Sequence, residues 1–137
     1  MLFGMLALFA SAMFALPALA GVQVTISRAS QTMRVSVDGA AKYTWAVSTG
    51  QRDSWTPGGT FRVQGLDRYH RSSKYNNAPM PHSIFYDGDR AIHGTTHVGQ
   101  LGNRATHGCV RLAPGNAAAL FALVQKYGTG SVRIIVQ

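Results

Sequence analysis

The strongest constraint on the fold of this 137-residue chain is the alternation of apolar and polar residues in short segments. Apolar residues occupy every second position in residues 22–26, 33–37 and 132–136. This period of two is typical of strands with one buried face, whereas a helix would need a period near 3.6. Asp38-Gly39 follows the second segment and is a favoured hairpin turn. The pattern therefore predicts a mainly β fold that begins as a meander.

One helix is predicted near the C-terminus. Pro114 suits a first helical turn, and Gly128 suits the position just after the last one. Between them, Leu120, Phe121, Leu123 and Val124 predict one apolar face.

The segment between Val63 and Ile84 is predicted to be a long connection without regular structure. Ordered connections of that length usually serve a function. We therefore interpret it as one wall or lid of a substrate groove.

Residues 92–112 contain the chain's only cysteine, Cys109, together with three of its five histidines. A single cysteine cannot form an internal disulfide, so it is either an inert buried thiol, a partner for another chain, or a reactive group. The residues around Cys109 are glycine, histidine and arginine, which favours a reactive thiol of low pKa. The backbone N–H groups of Gly108 and Cys109 are candidates for an oxyanion hole.

Two separated motifs carry a family resemblance. HGT at residues 93–95 is followed, after eleven residues, by HGCVR at residues 107–111, and VSTG at 47–50 precedes TPGGTF at 56–61. The order and spacing of these motifs resemble the L,D-transpeptidase catalytic domain, or YkuD-type family. Its members are cysteine enzymes that cross-link bacterial peptidoglycan.

The resemblance implies a single YkuD-like domain, a mainly β sandwich or barrel-like fold with one helix near the C-terminus. It implies Cys109 as the nucleophile, His93 as the general base and the carbonyl of Gly94 as the group that orients the imidazole. Gly108 would help to hold the oxyanion. The residues expected to contact substrate are Arg111, His107, Thr106, Met80 and His82.

The resemblance also implies the reaction and its partners. A peptidoglycan tetrapeptide donates its acyl group to Cys109 as a thioester, and an amine on a neighbouring stem accepts it. No cofactor and no metal are expected. With water as the acceptor, the enzyme would be an L,D-carboxypeptidase.

Two other classes of protein remain as alternatives. His93, His97, His107 and Cys109 are all residue types that bind zinc. The first two are spaced H-x₃-H, but that motif needs a helix, and the glycines nearby indicate a loop. A non-catalytic wall-binding module is the other alternative, and the intact Cys109 and His93 argue against it.

Apart from Ser11, residues 1–20 are apolar; they carry no charge, and they end Ala18-Leu19-Ala20. That small-x-small ending predicts a signal peptide cleaved after Ala20, with residues 21–137 as the catalytic domain. A retained membrane anchor is the alternative, because ~20 apolar residues can span a bilayer. We expect a periplasmic or cell-envelope protein.

The formal net charge of +8 arises from thirteen basic and five acidic residues. Such a surface favours polyanions, so an anionic cell-envelope surface is a candidate partner, although the charge can also serve solubility alone. Nucleic acid is not expected, because the basic residues are scattered along the chain. We expect a monomer.

Overall fold

The computed structural model describes residues 21–137, and the predicted signal peptide lies outside the described residues. The described part contains two β-sheets and one α-helix. The strands are β1 (Val22–Ser27), β2 (Thr32–Val37), β3 (Ala40–Ala46), β4 (Gly59–Arg62), β5 (Gly65–Arg71), β6 (Pro79–Asp87), β7 (Arg90–Gly94), β8 (Val110–Leu112) and β9 (Val132–Val136), and the helix is α1 (Pro114–Tyr127).

The larger sheet has the strand order β3-β2-β1-β9-β4. β1 lies at its centre, antiparallel to β2 and parallel to β9. The alternating residues Val22, Val24 and Ile26 are all buried, as the period of two predicts. Asp38 and Gly39 both have positive φ, which is the backbone of the tight hairpin turn predicted there.

The smaller sheet has the order β5-β6-β7-β8, and its strands β7 and β8 contain residues of the HGT and HGCVR motifs. β7 and β8 run parallel, with His93 opposite Arg111. A parallel pair needs a long crossover, and residues 95–109 supply it. Within that crossover, residues Val98–Gln100 form a 3-10 helix.

One hydrophobic core joins both sheets to α1. Leu120, Phe121 and Val124 of α1 are buried against it, and the helix packs mainly on β6 and β7. Gly128 ends the helix with a positive φ, and its N–H donates to the Val124 carbonyl. The mainly β fold with one helix near the C-terminus is therefore confirmed.

The interpretation of residues 63–84 as an unstructured connection is wrong. β5 and β6 occupy most of this segment and form an antiparallel hairpin. Only its tip, from Ser72 to Ala78, lies outside the strands, and Asn76 and Asn77 there have positive φ. β5 is mostly exposed, so it lacks the apolar alternation that reveals a strand in a sequence.

Among residues 21–137, no helix is long and apolar enough to cross a membrane.

Candidate active site

A cavity of about 710 Å³ lies beside the paired strands β7 and β8, with the β5–β6 hairpin as its other wall. That volume is in the range typical of small-ligand sites. It brings together seven of the nine residues predicted for the site. These are Met80, His93, Thr106, His107, Gly108, Cys109 and Arg111.

The two parallel strands place Cys109 and His93 on one face of the sheet. Cys109 directly precedes β8, two residues before Arg111, and Arg111 is opposite His93 on β7. Residues two apart on a strand project to the same side. Cys109 is therefore a diagonal neighbour of His93, and both side chains line the same cavity.

The ring of His93 is buried and oriented by one hydrogen bond. Its Nδ1 lies 2.7 Å from the carbonyl oxygen of Gly94. A carbonyl can only accept, so Nδ1 carries the proton and Nε2 keeps a free lone pair. Burial lowers the pKa of His93 from 6.5 to about 4; the Arg111 charge adds to this and the Gly94 hydrogen bond opposes it. The imidazole is consequently neutral at pH 7.

The thiol of Cys109 is also neutral in the resting site. Burial raises its pKa, which outweighs the lowering by a backbone hydrogen bond at Ala91 and by the charges of Arg111 and Arg90. Its Sγ lies 3.8 Å from the carbonyl oxygen of Asp89, within reach of a weak hydrogen bond. The structure contradicts the low thiol pKa that we expected from the sequence. A nearby base must therefore take the proton when the thiol reacts.

A threonine hydroxyl shapes the turn that presents Cys109. Thr106 Oγ1 donates to the Cys109 carbonyl at 2.7 Å and accepts from the Gly108 N–H at 3.1 Å. Gly108 has a φ of 141°, and a Cβ there would lie 2.8 Å from the Trp55 carbonyl oxygen. Only glycine fits this position. The Gly108 N–H, expected in the oxyanion hole, is already bonded within the turn.

Arg111 brings a positive charge to the cavity without a carboxylate partner. Among the described residues, each acidic side chain near the cavity pairs with another cation, Asp87 with Arg90 and Asp89 with Lys74. The Arg111 guanidinium instead donates to the Gln100 side-chain oxygen at 3.0 Å. Arg111 pairs with neither Asp87 nor Asp89, so its cation can receive an anionic ligand group.

The remaining predicted contacts divide between the cavity and the helix. His107 is exposed at the cavity, and Tyr75 stacks on its ring at 4.6 Å between centroids. Met80 is buried in the cavity wall. His82 has a positive φ, and its ring packs edge-on against Phe121 of α1 at 5.3 Å. The structure does not bring His82 together with the other site residues.

Comparison with known proteins agrees with this geometry. The model of the L,D-transpeptidase catalytic domain family, YkuD, matches residues 21–136. The chain belongs to this L,D-transpeptidase family. Among curated proteins, none matches the chain significantly.

Solved L,D-transpeptidases share the fold. The chain is 26% identical to an L,D-transpeptidase from Mycobacterium smegmatis, with a TM-score of 0.74 over 86% of this chain and 59% of that one. An L,D-transpeptidase from Stackebrandtia nassauensis is 24% identical, with a TM-score of 0.75 over 94% of this chain and 61% of that one. This chain thus spans about three fifths of the length of these structures.

The sequence did not predict three residues that support the site of this L,D-transpeptidase domain. The buried Thr56 hydroxyl donates to the Gly108 carbonyl at 2.8 Å. Arg90 Nε donates to the Trp55 carbonyl at 2.7 Å, next to Gly108. Tyr75 covers His107 from the hairpin tip. Thr56 lies in the TPGGTF motif. The motif indicated that this position is important, but it did not indicate that Thr56 contacts Gly108.

A zinc site finds no support in the arrangement of side chains. Within residues 21–137, no three His, Cys, Asp or Glu side chains lie close enough to hold a metal ion. His97 directly precedes the 3-10 helix Val98–Gln100, so the H-x₃-H spacing of His93 and His97 is not on an α-helix. The L,D-transpeptidase domain therefore presents a thiol and an imidazole without a metal cluster around them.

Proposed function

We propose that this protein is an exported L,D-transpeptidase that acts on peptidoglycan stem peptides through a thioester at Cys109. The observation that carries this proposal is the state of His93. It is neutral, its Nδ1–H is bonded to the Gly94 carbonyl, and Nε2 is left to accept a proton in the cavity that Cys109 lines. An imidazole in this tautomer is a general base for a neutral thiol.

The first half of the reaction forms the thioester. Cys109 Sγ attacks the carbonyl carbon of the donor peptide while His93 Nε2 takes the thiol proton. The tetrahedral intermediate places its negative oxygen near the Cys109 N–H. When the C–N bond breaks, the imidazolium returns the proton to the departing amine, and D-alanine leaves.

The second half transfers the acyl group to an amine. The amine nitrogen attacks the thioester carbonyl, His93 removes its proton, and the thiolate leaves and is reprotonated by His93. The products are a new amide bond and free enzyme, so no net oxidation or reduction occurs. Water in place of the amine would give a carboxypeptidase, and the products distinguish the two.

Arg111 is the proposed cation for a carboxylate of the donor. Its guanidinium lies in the cavity with only an uncharged partner, Gln100. A planar guanidinium can bind a carboxylate through two parallel hydrogen bonds. Met80 and His107, both in the cavity wall, are proposed to contact the rest of the stem peptide.

Labelling with a β-lactam tests the nucleophile. One solved L,D-transpeptidase is in complex with imipenem and another carries a faropenem-derived adduct. We expect imipenem to add one covalent acyl group to this protein and none to Cys109→Ala, as measured by whole-protein mass. Equal labelling of the variant would place the nucleophile elsewhere.

The choice of acceptor is tested with natural substrate. Purified residues 21–137 are incubated with disaccharide tetrapeptide, with and without an amine acceptor, and the products are identified by mass spectrometry. Cross-linked dimers support the transpeptidase proposal. Tripeptide as the sole product in both mixtures would support the carboxypeptidase instead.

Export is tested by N-terminal sequencing. The apolar residues 1–20 and the Ala18-Leu19-Ala20 ending support cleavage after Ala20 and a periplasmic or envelope location. We expect the mature protein to begin at Gly21. Exported protein that begins at Met1 would contradict cleavage and support a membrane anchor.

A further inference from the structure

We infer that Thr56 is the positioning residue for the oxyanion hole, because its hydroxyl orients the peptide that carries the Cys109 N–H. This inference rests on the proposed acyl transfer at Cys109. It assigns a role to a buried side chain outside the cavity lining, 52 residues before Gly108 in the chain.

Three successive peptide units surround the nucleophile, and two threonines hold them. Thr106 Oγ1 accepts from the N–H of Gly108, in the first unit, and donates to the carbonyl of Cys109, in the third. The middle unit joins Gly108 to Cys109. Its carbonyl oxygen receives the hydrogen bond from Thr56 Oγ1 at 2.8 Å.

The middle peptide unit is the one that matters for the developing negative charge. In a trans peptide, the C=O and N–H groups point in opposite directions, and the described residues contain no cis bond. Thr56 lies outside the cavity lining, whereas Gly108 and Cys109 lie in it. A carbonyl directed at Thr56 therefore directs the Cys109 N–H towards the cavity.

The hydroxyl of Thr56 has a donor on one side and an acceptor on the other. The Gly50 N–H donates to Thr56 Oγ1 at 2.9 Å, so the hydroxyl must give its own proton to the other partner, Gly108. Thr56 is fully buried, which excludes competition from solvent. The two hydrogen bonds, from Gly50 to Thr56 and from Thr56 to Gly108, together fix the direction of the Gly108 carbonyl.

Gly108 makes this support necessary. Its φ of 141° lies in a region that residues with a Cβ rarely adopt, and a glycine backbone rotates more freely than any other. Because the Gly108 N–H is already bonded to Thr106, the Cys109 N–H is the remaining donor of the two predicted for the oxyanion hole. Misdirecting one such donor removes most of its effect on rate.

The test compares two reactions of the same thiol. Acylation by imipenem develops a negative oxygen, whereas alkylation by iodoacetamide displaces iodide and develops none. For Thr56→Val, we expect acylation to slow by ~10²-fold, the lower end for losing one oxyanion donor. The rate of alkylation and its dependence on pH should stay near those of the protein without the substitution. Thr56→Ser, which keeps the hydroxyl, should restore acylation to within a few-fold.

Thr49→Val is the matched control. Thr49 is also fully buried, and its hydroxyl accepts from the Gln31 side chain at 2.7 Å, so the same substitution breaks a similar bond that does not reach Gly108. We expect its acylation to remain within a few-fold of normal. If Thr56→Val does not fold, Thr56→Ala removes the hydroxyl without placing a methyl against the Gly108 carbonyl.

Each other outcome overturns the inference. Unchanged acylation in Thr56→Val would show that the hydroxyl does not orient the donor. Equal losses of acylation and alkylation would show general support of the thiol, and a slow Thr56→Ser would exclude the hydroxyl as the cause. In all three cases the unmodified protein still forms the adduct, so the transpeptidase proposal stands. Absence of the adduct in the unmodified protein would overturn both.

Discussion

The burial of His93 accounts both for its function as a base and for its cost to the stability of the fold. Burial favours its uncharged form, which leaves Nε2 free to accept a proton. The same burial penalises protonation of the folded protein. A base prepared in this way is available over a wide range of pH, because it stays unprotonated down to about pH 4.

The depressed pKa of His93 predicts a loss of stability in acid. His93 binds a proton near pH 6.5 in the unfolded chain but only near pH 4 in the folded one. The free energy of unfolding therefore carries no penalty from His93 above pH 6.5, and it falls as the pH drops from 6.5 to 4. The total loss is ~3 kcal/mol by linkage. Denaturant unfolding at several pH values measures it. His93→Gln should flatten this slope, and His107→Gln, at an exposed position, should retain it.

The identity of the base gives a second prediction. His93→Ala should slow imipenem acylation by ~10²–10⁴-fold, the range for loss of a general base. His107→Ala should keep measurable acylation, because its ring lies on the exposed side of the cavity against Tyr75. The larger loss in His107→Ala would show that His107 is the base.

For individual residues, the sequence predicted the reactive side chains but not the residues that hold them in position. Cys109, His93 and Arg111 were predicted from residue type and motif, and the structure places all three in one cavity. The contact of Thr56 with Gly108 spans 52 residues and leaves no local pattern. The thiol pKa was mispredicted because burial, which no motif encodes, outweighs the nearby positive charges.

The β5–β6 hairpin is the element that covers the cavity. Two contacts hold its tip against the opposite wall. Tyr75 stacks on His107, and Lys74 Nζ lies 2.5 Å from the Asp89 carboxylate. The ion pair is largely exposed and contributes little. The stacked rings therefore provide most of the attachment.

Tyr75→Ala should loosen this cover. Aromatic pairs contribute ~0.5–1.5 kcal/mol, so we expect the KM for the tetrapeptide donor to rise by roughly two- to tenfold. Alkylation of Cys109 by a small reagent should not slow. Tyr69→Ala is the control, because Tyr69 is on the same hairpin but 82% exposed. Similar effects of both substitutions would argue against a specific role for the stacked pair.

Strands were predictable where one face meets the core. β1 and β9 have an apolar residue at every second position, and these inward residues are buried. β5 lacks that signal because most of its side chains face solvent. β6 also contains prolines at 79 and 81, and it accommodates both where it pairs with β5. Pairing between strands, which sequence alone does not reveal, decides this case.

Across the whole molecule, the described acidic residues are all engaged in local contacts. Asp38 accepts from the Gly21 N–H, Asp53 pairs with Arg104, and Asp67 pairs with His70. Asp87 and Asp89 are paired beside the cavity. Most basic side chains therefore remain uncompensated, which supports the proposed attraction to an anionic envelope surface.

The core predicts which part of the chain suffices for folding. All of its buried residues lie between Val22 and Val136. Residues 21–137 alone should show one cooperative thermal transition. A chain that ends at Ser131 lacks β9 and should show none, because β1 then loses a partner on one side. A cooperative transition in the shorter chain, followed by circular dichroism, would contradict this view of the core.

The parallel pairing of β1 with β9 also sets the order in which the molecule can assemble. Residues 22–26 of β1 pair with residues 132–136 of β9, near the other end of the described chain. Contacts so distant in sequence slow folding, because a long loop must close before they form. While the chain is being synthesised, the centre of the larger sheet stays open until β9 emerges. The protein should therefore remain unfolded for longer than a helical domain of equal length, a state that a chaperone can bind.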